Sequence, residues 1–98
     1  MENDEPLWEW ACPEVEIDGV TLKLTCVACP EQYDAFKDGF QVGYLRLRHG
    51  KFTVYYPDYG GDTIYFANPN GDGIFEDSER DFYLKEAVKA INNKLEEL

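Results

Sequence analysis

The sequence predicts an α+β fold: a mainly antiparallel sheet of four or five strands, covered on one face by a long C-terminal helix, with a short helix between strands. Three observations lead there. Apolar and polar residues alternate on either side of Asp18-Gly19 and again around His49-Gly50, the pattern of hairpins closed by two-residue turns. Toward the C-terminus Leu84, Ala87, Val88, Ile91, Leu95 and Leu98 recur at intervals of three and four, which is one apolar stripe of a helix. Finally, 98 residues, 44% hydrophobic and 15% aromatic, suffice for a single modest core. Residues 1–98 therefore read as one compact acidic domain, with residues 1–11 as a packed or flexible arm.

That arm interleaves Glu2, Asp4, Glu5 and Glu9 with Leu7, Trp8 and Trp10; its acids favour solvent and its indoles need a surface to cover. Residues 14–17 and 20–26 form the first hairpin, with Val15 opposite Leu22, Ile17 opposite Val20, Glu14 opposite Lys23 and Glu16 opposite Thr21. Residues 30–38 are expected to be a short helix, with Pro30 in its first turn, Glu31 near its positive end and Gly39 as its stop. The central hairpin follows over residues 41–48 and 51–56, setting Arg48 opposite Lys51, Leu47 opposite Phe52 and Leu45 opposite Val54. A turn at 58–62 leads to a strand over 63–67, and the Gly, Pro and Asn of residues 68–73 end regular structure. Ser78 with Asp81 approximates a capping box for a helix running to about Glu96.

Charge narrows the function. Twenty acidic against nine basic residues give a formal charge of −11 and a pI near 4.3, a field that repels nucleic acid and anionic membranes and attracts cations or basic proteins. No apolar run approaches the roughly 18 to 20 residues that cross a bilayer. The first residues, Met1-Glu-Asn-Asp-Glu5, lack the basic-then-apolar pattern of a secretory signal, and the odd cysteine count is a poor disulfide framework. A cytoplasmic location is expected.

Two patterns suggest metal or thiol chemistry. From Asn68 to Glu79 the offsets match an EF-hand-like calcium loop, with oxygens from Asn68, Asn70, Asp72, Glu76 and Glu79 around a bend at Gly73. Against this, the first position is Asn, the second is Pro69, and the preceding segment reads as a strand. The plainer reading is a polar turn whose Asp77, Ser78 and Glu79 cap the next helix. Cys26-Val-Ala-Cys29 is a CxxC before an expected helix start, where free backbone N–H groups would lower a thiol pKa. With Cys12 and His49 the same pair would make a zinc set, although the spacing is not that of paired knuckles. No hydrolase, phosphate-loop or metalloprotease motif is present, and no enzymatic activity is expected.

Two surfaces remain. One is acidic: Glu2, Asp4, Glu5, Glu9, Glu14, Glu16 and Asp18 in the first part of the chain, and Asp58, Asp62, Asp72, Glu76, Asp77, Glu79 and Asp81 further on. Gathered together, they would imitate a phosphate backbone and occupy the basic site of a nucleic-acid-processing protein, a strategy of small acidic inhibitors, phage-encoded ones included. The other is the outer face of the central hairpin, where Tyr44, Arg46, Arg48, Lys51 and Tyr55 mix cations with aromatic rings. That face suits single-stranded nucleic acid or a protein interface, and the overall charge disfavours the former.

Overall fold

In a computed structural model, which describes residues 14–28 and 30–98, the chain is a six-stranded antiparallel meander with a single helix among the described residues. The strands are β1 (Glu14–Ile17), β2 (Val20–Cys26), β3 (Glu31–Lys37), β4 (Phe40–Arg48), β5 (Lys51–Tyr56) and β6 (Asp62–Ala67), followed by α1 (Asp77–Glu97). They lie in the sheet in chain order. Both predicted hairpins have the expected registers, including Val15 with Leu22 and Leu47 with Phe52.

The expected short helix over residues 30–38 is instead strand β3, and the sheet has six strands rather than four or five. Alternation explains the correction. Glu31, Tyr33 and Ala35 are buried while Gln32, Asp34 and Phe36 face the other way, a period of two that Pro30 and Gly39 had overshadowed. A helix of that length is marginal on its own. Asp38 and Gly39 both have positive φ, +53° and +84°, like Asp18-Gly19 and His49-Gly50, so they form a third hairpin turn. β3 thereby joins the two predicted hairpins into one sheet.

Inward-facing Val20, Leu22, Leu24, Tyr33, Ala35, Leu45, Leu47, Phe52 and Val54 meet Leu84, Ala87, Val88 and Ile91 of the helix stripe. Gly43 makes room for the helix, since an added Cβ there would stand 2.7 Å from Ile91 Cδ1. Leu98, expected on the stripe, is the C-cap beyond the last turn of α1, and it and the off-stripe Phe82 remain exposed. The helix begins one residue before the predicted Ser78, with Glu76 as its N-cap, and the reciprocal partner is Glu79 rather than Asp81.

Because the meander reverses at each turn, its connections fall at two ends of the sheet. The β1–β2, β3–β4 and β5–β6 connections share one end with the C-terminus of α1. There Lys37 Nζ donates to Asn92 Oδ1 at 3.1 Å, Asn92 Nδ2 donates to the Asp18 carbonyl at 3.3 Å, and Lys94 lies 3.9 Å from Asp62. The β2–β3 and β4–β5 connections and the loop before α1 occupy the opposite end, roughly 20 Å away for strands of this length. No helix among the described residues is long and apolar enough to cross a membrane.

Candidate functional site

The helix covers one face of the sheet, and among the described residues no element covers the other. On that open face β4 presents Tyr44, Arg46 and Arg48, and β5 presents Lys51, Thr53 and Tyr55, as the alternation requires. The β5–β6 connection adds a residue that sequence reasoning missed. Tyr59 folds back to place its ring 5.4 Å from Tyr44 and 5.7 Å from Tyr55, both nearly edge-on, while the Arg46 guanidinium lies 5.9 Å from its centre. Tyr59 is nevertheless 63% exposed. Phe66 of β6, paired with Thr53, extends the same face and is also exposed.

A polar relay positions this cluster. Asp58 Oδ1 accepts the Tyr59 N–H at 2.6 Å and the Gln41 side-chain amide at 3.1 Å, and that amide also reaches Asp34 at 3.3 Å. Burial, reinforced by the nearby Asp58 charge, raises the Asp34 pKa against the opposing pull of Gln41 and Lys23. Tyr44 donates to Gln32 Oε1 at 2.6 Å, and burial is the main reason its hydroxyl titrates above the usual range. Arg46, Arg48, His49, Lys51, Thr53 and Tyr55 surround a shallow depression of about 240 Å³.

The loop from Asn68 to Glu79 is organised differently from the calcium expectation. Glu79 Oε1 accepts from the Asn70 N–H at 2.9 Å, and Oε2 from the Gly71 and Glu76 N–H groups at 2.8 and 3.0 Å. Both oxygens are thus engaged by backbone amides. Burial pushes the Glu79 pKa upward, but the three N–H bonds together outweigh it and hold the group below its ordinary value. Gly71 is required here because a Cβ would stand 2.0 Å from the Ile74 carbonyl oxygen.

A pH prediction follows from the depressed Glu79 value. Its stabilising contribution is fully present above the unfolded-state pKa and is lost as pH falls through the folded-state value. Glu79→Gln is expected to cost about 1–3 kcal/mol at neutral pH, the range for a lost cap and charge-assisted bonds. The difference in thermal midpoint from the unaltered chain should shrink on acidification. An unchanged difference from neutral to strongly acid pH would show that the carboxylate charge does not hold the loop.

Beside this loop Glu31, only 2% exposed, receives Arg80 Nε at 2.9 Å, Arg80 Nη2 at 3.3 Å and the Phe75 N–H at 2.9 Å, together with the Tyr33 hydroxyl. The pair ties β3 to the start of α1 across 49 residues of sequence. Every bond is internal, which makes this a structural clamp.

The remaining candidates are dispersed. Asp58 and Asp62 lie at the end of the sheet shared by the β1–β2, β3–β4 and β5–β6 connections, called the turn end below, Asp72, Glu76, Asp77, Glu79 and Asp81 at the opposite end, and Glu14 and Glu16 along the β1 edge that Asp18 closes. Asp18, Asp38, Asp58, Asp62, Glu96 and Glu97 do share the turn end, a grouping that linear proximity concealed. Glu2, Asp4, Glu5, Glu9, Cys12 and Cys29 lie outside the described residues. Cys26 is half-buried with its thiol 3.6 Å from the Ala28 carbonyl, and His49 occupies an exposed turn. Since residues 31–37 are a strand, the helix N-terminus expected beside the CxxC is not formed there. Among the described residues no three His, Cys, Asp or Glu side chains are grouped to hold a metal ion. Comparison with protein-family models, with curated proteins and with solved structures returned no match.

Proposed function

We propose that this chain is a small protein-binding module whose contact surface is the open face of the sheet, centred on Tyr44, Tyr55, Tyr59 and Arg46. The observation that carries the reading is the partly exposed ring cluster with an arginine at its centre, on the one sheet face that α1 leaves uncovered. Tyrosine and arginine are the residue types that anchor protein interfaces, because each combines contact area with a polar tip. Six strands about 4.8 Å apart and roughly 20 Å long offer on the order of 500 Å², within reach of one partner's share of a standard interface. The formal charge of −11 works against a polynucleotide as the occupant.

A second reading keeps the acidic inhibitor that imitates nucleic acid, and transfers it to the turn end. Asp18, Asp38 and Asp58 sit on alternate connections, about 10 Å apart by strand spacing, with Asp62, Glu96 and Glu97 beside them. A basic, nucleic-acid-processing protein would be its partner.

One capture experiment separates the two. The unaltered chain, a face variant (Tyr59→Ala with Phe66→Ser) and a turn-end variant (Asp18→Asn, Asp38→Asn, Glu96→Gln, Glu97→Gln), which spares the Asp58 that positions Tyr59, serve as baits, each first checked for folding by circular dichroism. Loss of a specific protein with the face variant alone supports the first reading. Loss with the turn-end variant alone, together with competition by DNA, supports the second. Identical capture by all three baits rejects both.

A further inference from the structure

We infer that the depression beside the tyrosine cluster is an oxyanion subsite, and that the partner fills it with the carboxylate of an acidic peptide segment. This rests on the open face being the contact surface. Three observations on the same few residues point to an anion as its occupant.

The first is unpaired charge. Sixteen of the twenty carboxylates fall within the described residues, and their ion pairs use Lys23, Arg80 and Lys94. Among the described residues none pairs with Arg46, Arg48 or Lys51. The nearest loop brings Asp72 to the turn, where its carbonyl accepts the Gly50 N–H at 2.7 Å and its Oδ1 lies 3.8 Å from where a Cβ on Gly50 would stand, yet its carboxylate forms no ion pair with Arg48 or Lys51.

The second is register. Arg48 stands directly opposite Lys51, a like-charge cross-strand pair that destabilises a hairpin. In a chain so rich in acids, an opposite-charge pair at this position was readily available, and the first hairpin has one in Glu14 and Lys23, 3.6 Å apart. The third is Arg46 itself. Its Nε is shielded from solvent yet has no acceptor, the one buried side-chain polar atom left unsatisfied among the described residues. An arginine fork donates to two oxygens of one planar anion, which is the geometry of a carboxylate.

Size and field select the ligand. About 240 Å³ is ample room for a carboxylate side chain, and Tyr55 on its wall with Tyr59 alongside offers an aromatic shelf for a neighbouring apolar residue. A polyanion would bring many charges toward a molecule of formal charge −11, whereas one or two carboxylates meet far less repulsion.

The test is an NMR titration of the ¹⁵N-labelled full chain with a terminally blocked Glu-Tyr-Glu peptide, inorganic phosphate and oligo-dT in separate arms. Saturable shifts at the Arg46 Nε–H and at the amides of Arg48, Lys51 and Tyr55 are expected with the peptide, and at least about tenfold weaker binding by an Arg48→Gln/Lys51→Gln chain. The same variant should melt at a higher temperature, because the facing cations are gone. Absence of saturable shifts, or equal peptide affinity in the variant, would overturn the subsite. Tighter saturation by phosphate or oligo-dT than by the peptide would overturn the carboxylate assignment and favour a nucleic acid instead. The two readings fail separately: if captured protein is lost with the Tyr59/Phe66 bait but peptide affinity ignores Arg48 and Lys51, only the subsite falls.

Discussion

Glu31→Gln is expected to destabilise the domain by about 3–5 kcal/mol, the cost of stranding one member of a buried ion pair. Stability for domains of this kind is about 5–15 kcal/mol, so the variant should be marginal at ambient temperature. The argument is geometric. Both Glu31 oxygens accept hydrogen bonds, and they meet the Arg80 guanidinium through two of its nitrogens. Glutamine keeps the shape but replaces one oxygen with a donor, which faces either Arg80 or the Phe75 N–H. The only charged partner then left to Arg80 among the described residues is Asp77, whose side chain is 96% exposed, beside the neutral glutamine oxygen and the Phe75 carbonyl. At about 4–8 °C per kcal/mol, the thermal midpoint should fall by more than about 12 °C. Arg80→Met should cost a similar amount, and the double variant much less than the sum, since neither charge is then orphaned. A loss below about 1 kcal/mol, measured by denaturant midpoint at constant slope, would show that the pair does not hold β3 to the helix start.

This clamp also marks where reading along the sequence ends. Asp18-Gly19 and His49-Gly50 displayed their hairpins, because turn chemistry and alternation are local and agree. Asp38-Gly39 carried the same signal, yet Pro30 and Gly39 also punctuate a helix, and the alternation of Glu31, Tyr33 and Ala35 had to decide. Glu79 stood out by its offset from Asn68, but spacing alone does not distinguish oxygens arranged for a cation from oxygens engaged by backbone N–H groups. The open-face residues of β4 and β5 were legible as a pair of alternating strands. Tyr59 was not, since its place depends on a turn set by Asp58 and Gln41 from different elements. The acids from Asp58 to Asp81 are close in sequence and divided in space because one strand and one reversal separate them. Glu31 and Arg80 have no local signature at all.

Phe52→Ala should cost about 3–5 kcal/mol, comparable to loss of the clamp but for a different reason. Phe52 is fully buried at the centre of an aromatic cluster, with Phe75, Tyr65 and Tyr83 approaching edge-on at 5.0, 6.0 and 6.1 Å, while Phe75 and Tyr83 stack at 5.7 Å. Truncation forfeits transfer free energy, the ring contacts and the packing around the void, and the neighbours cannot collapse freely because they come from three separate elements. Phe52→Leu, which refills part of that volume, should recover at least half of the loss. Phe75 links this cluster to the clamp, since its ring packs on Phe52 while its N–H donates to Glu31. Phe52→Ala and Glu31→Gln should therefore be non-additive by about 0.5–3 kcal/mol, as expected for changes that share a partner. Strict additivity within about 0.5 kcal/mol would mean that the loop before α1 is held by the ion pair and the ring cluster independently, rather than by Phe75 transmitting one to the other.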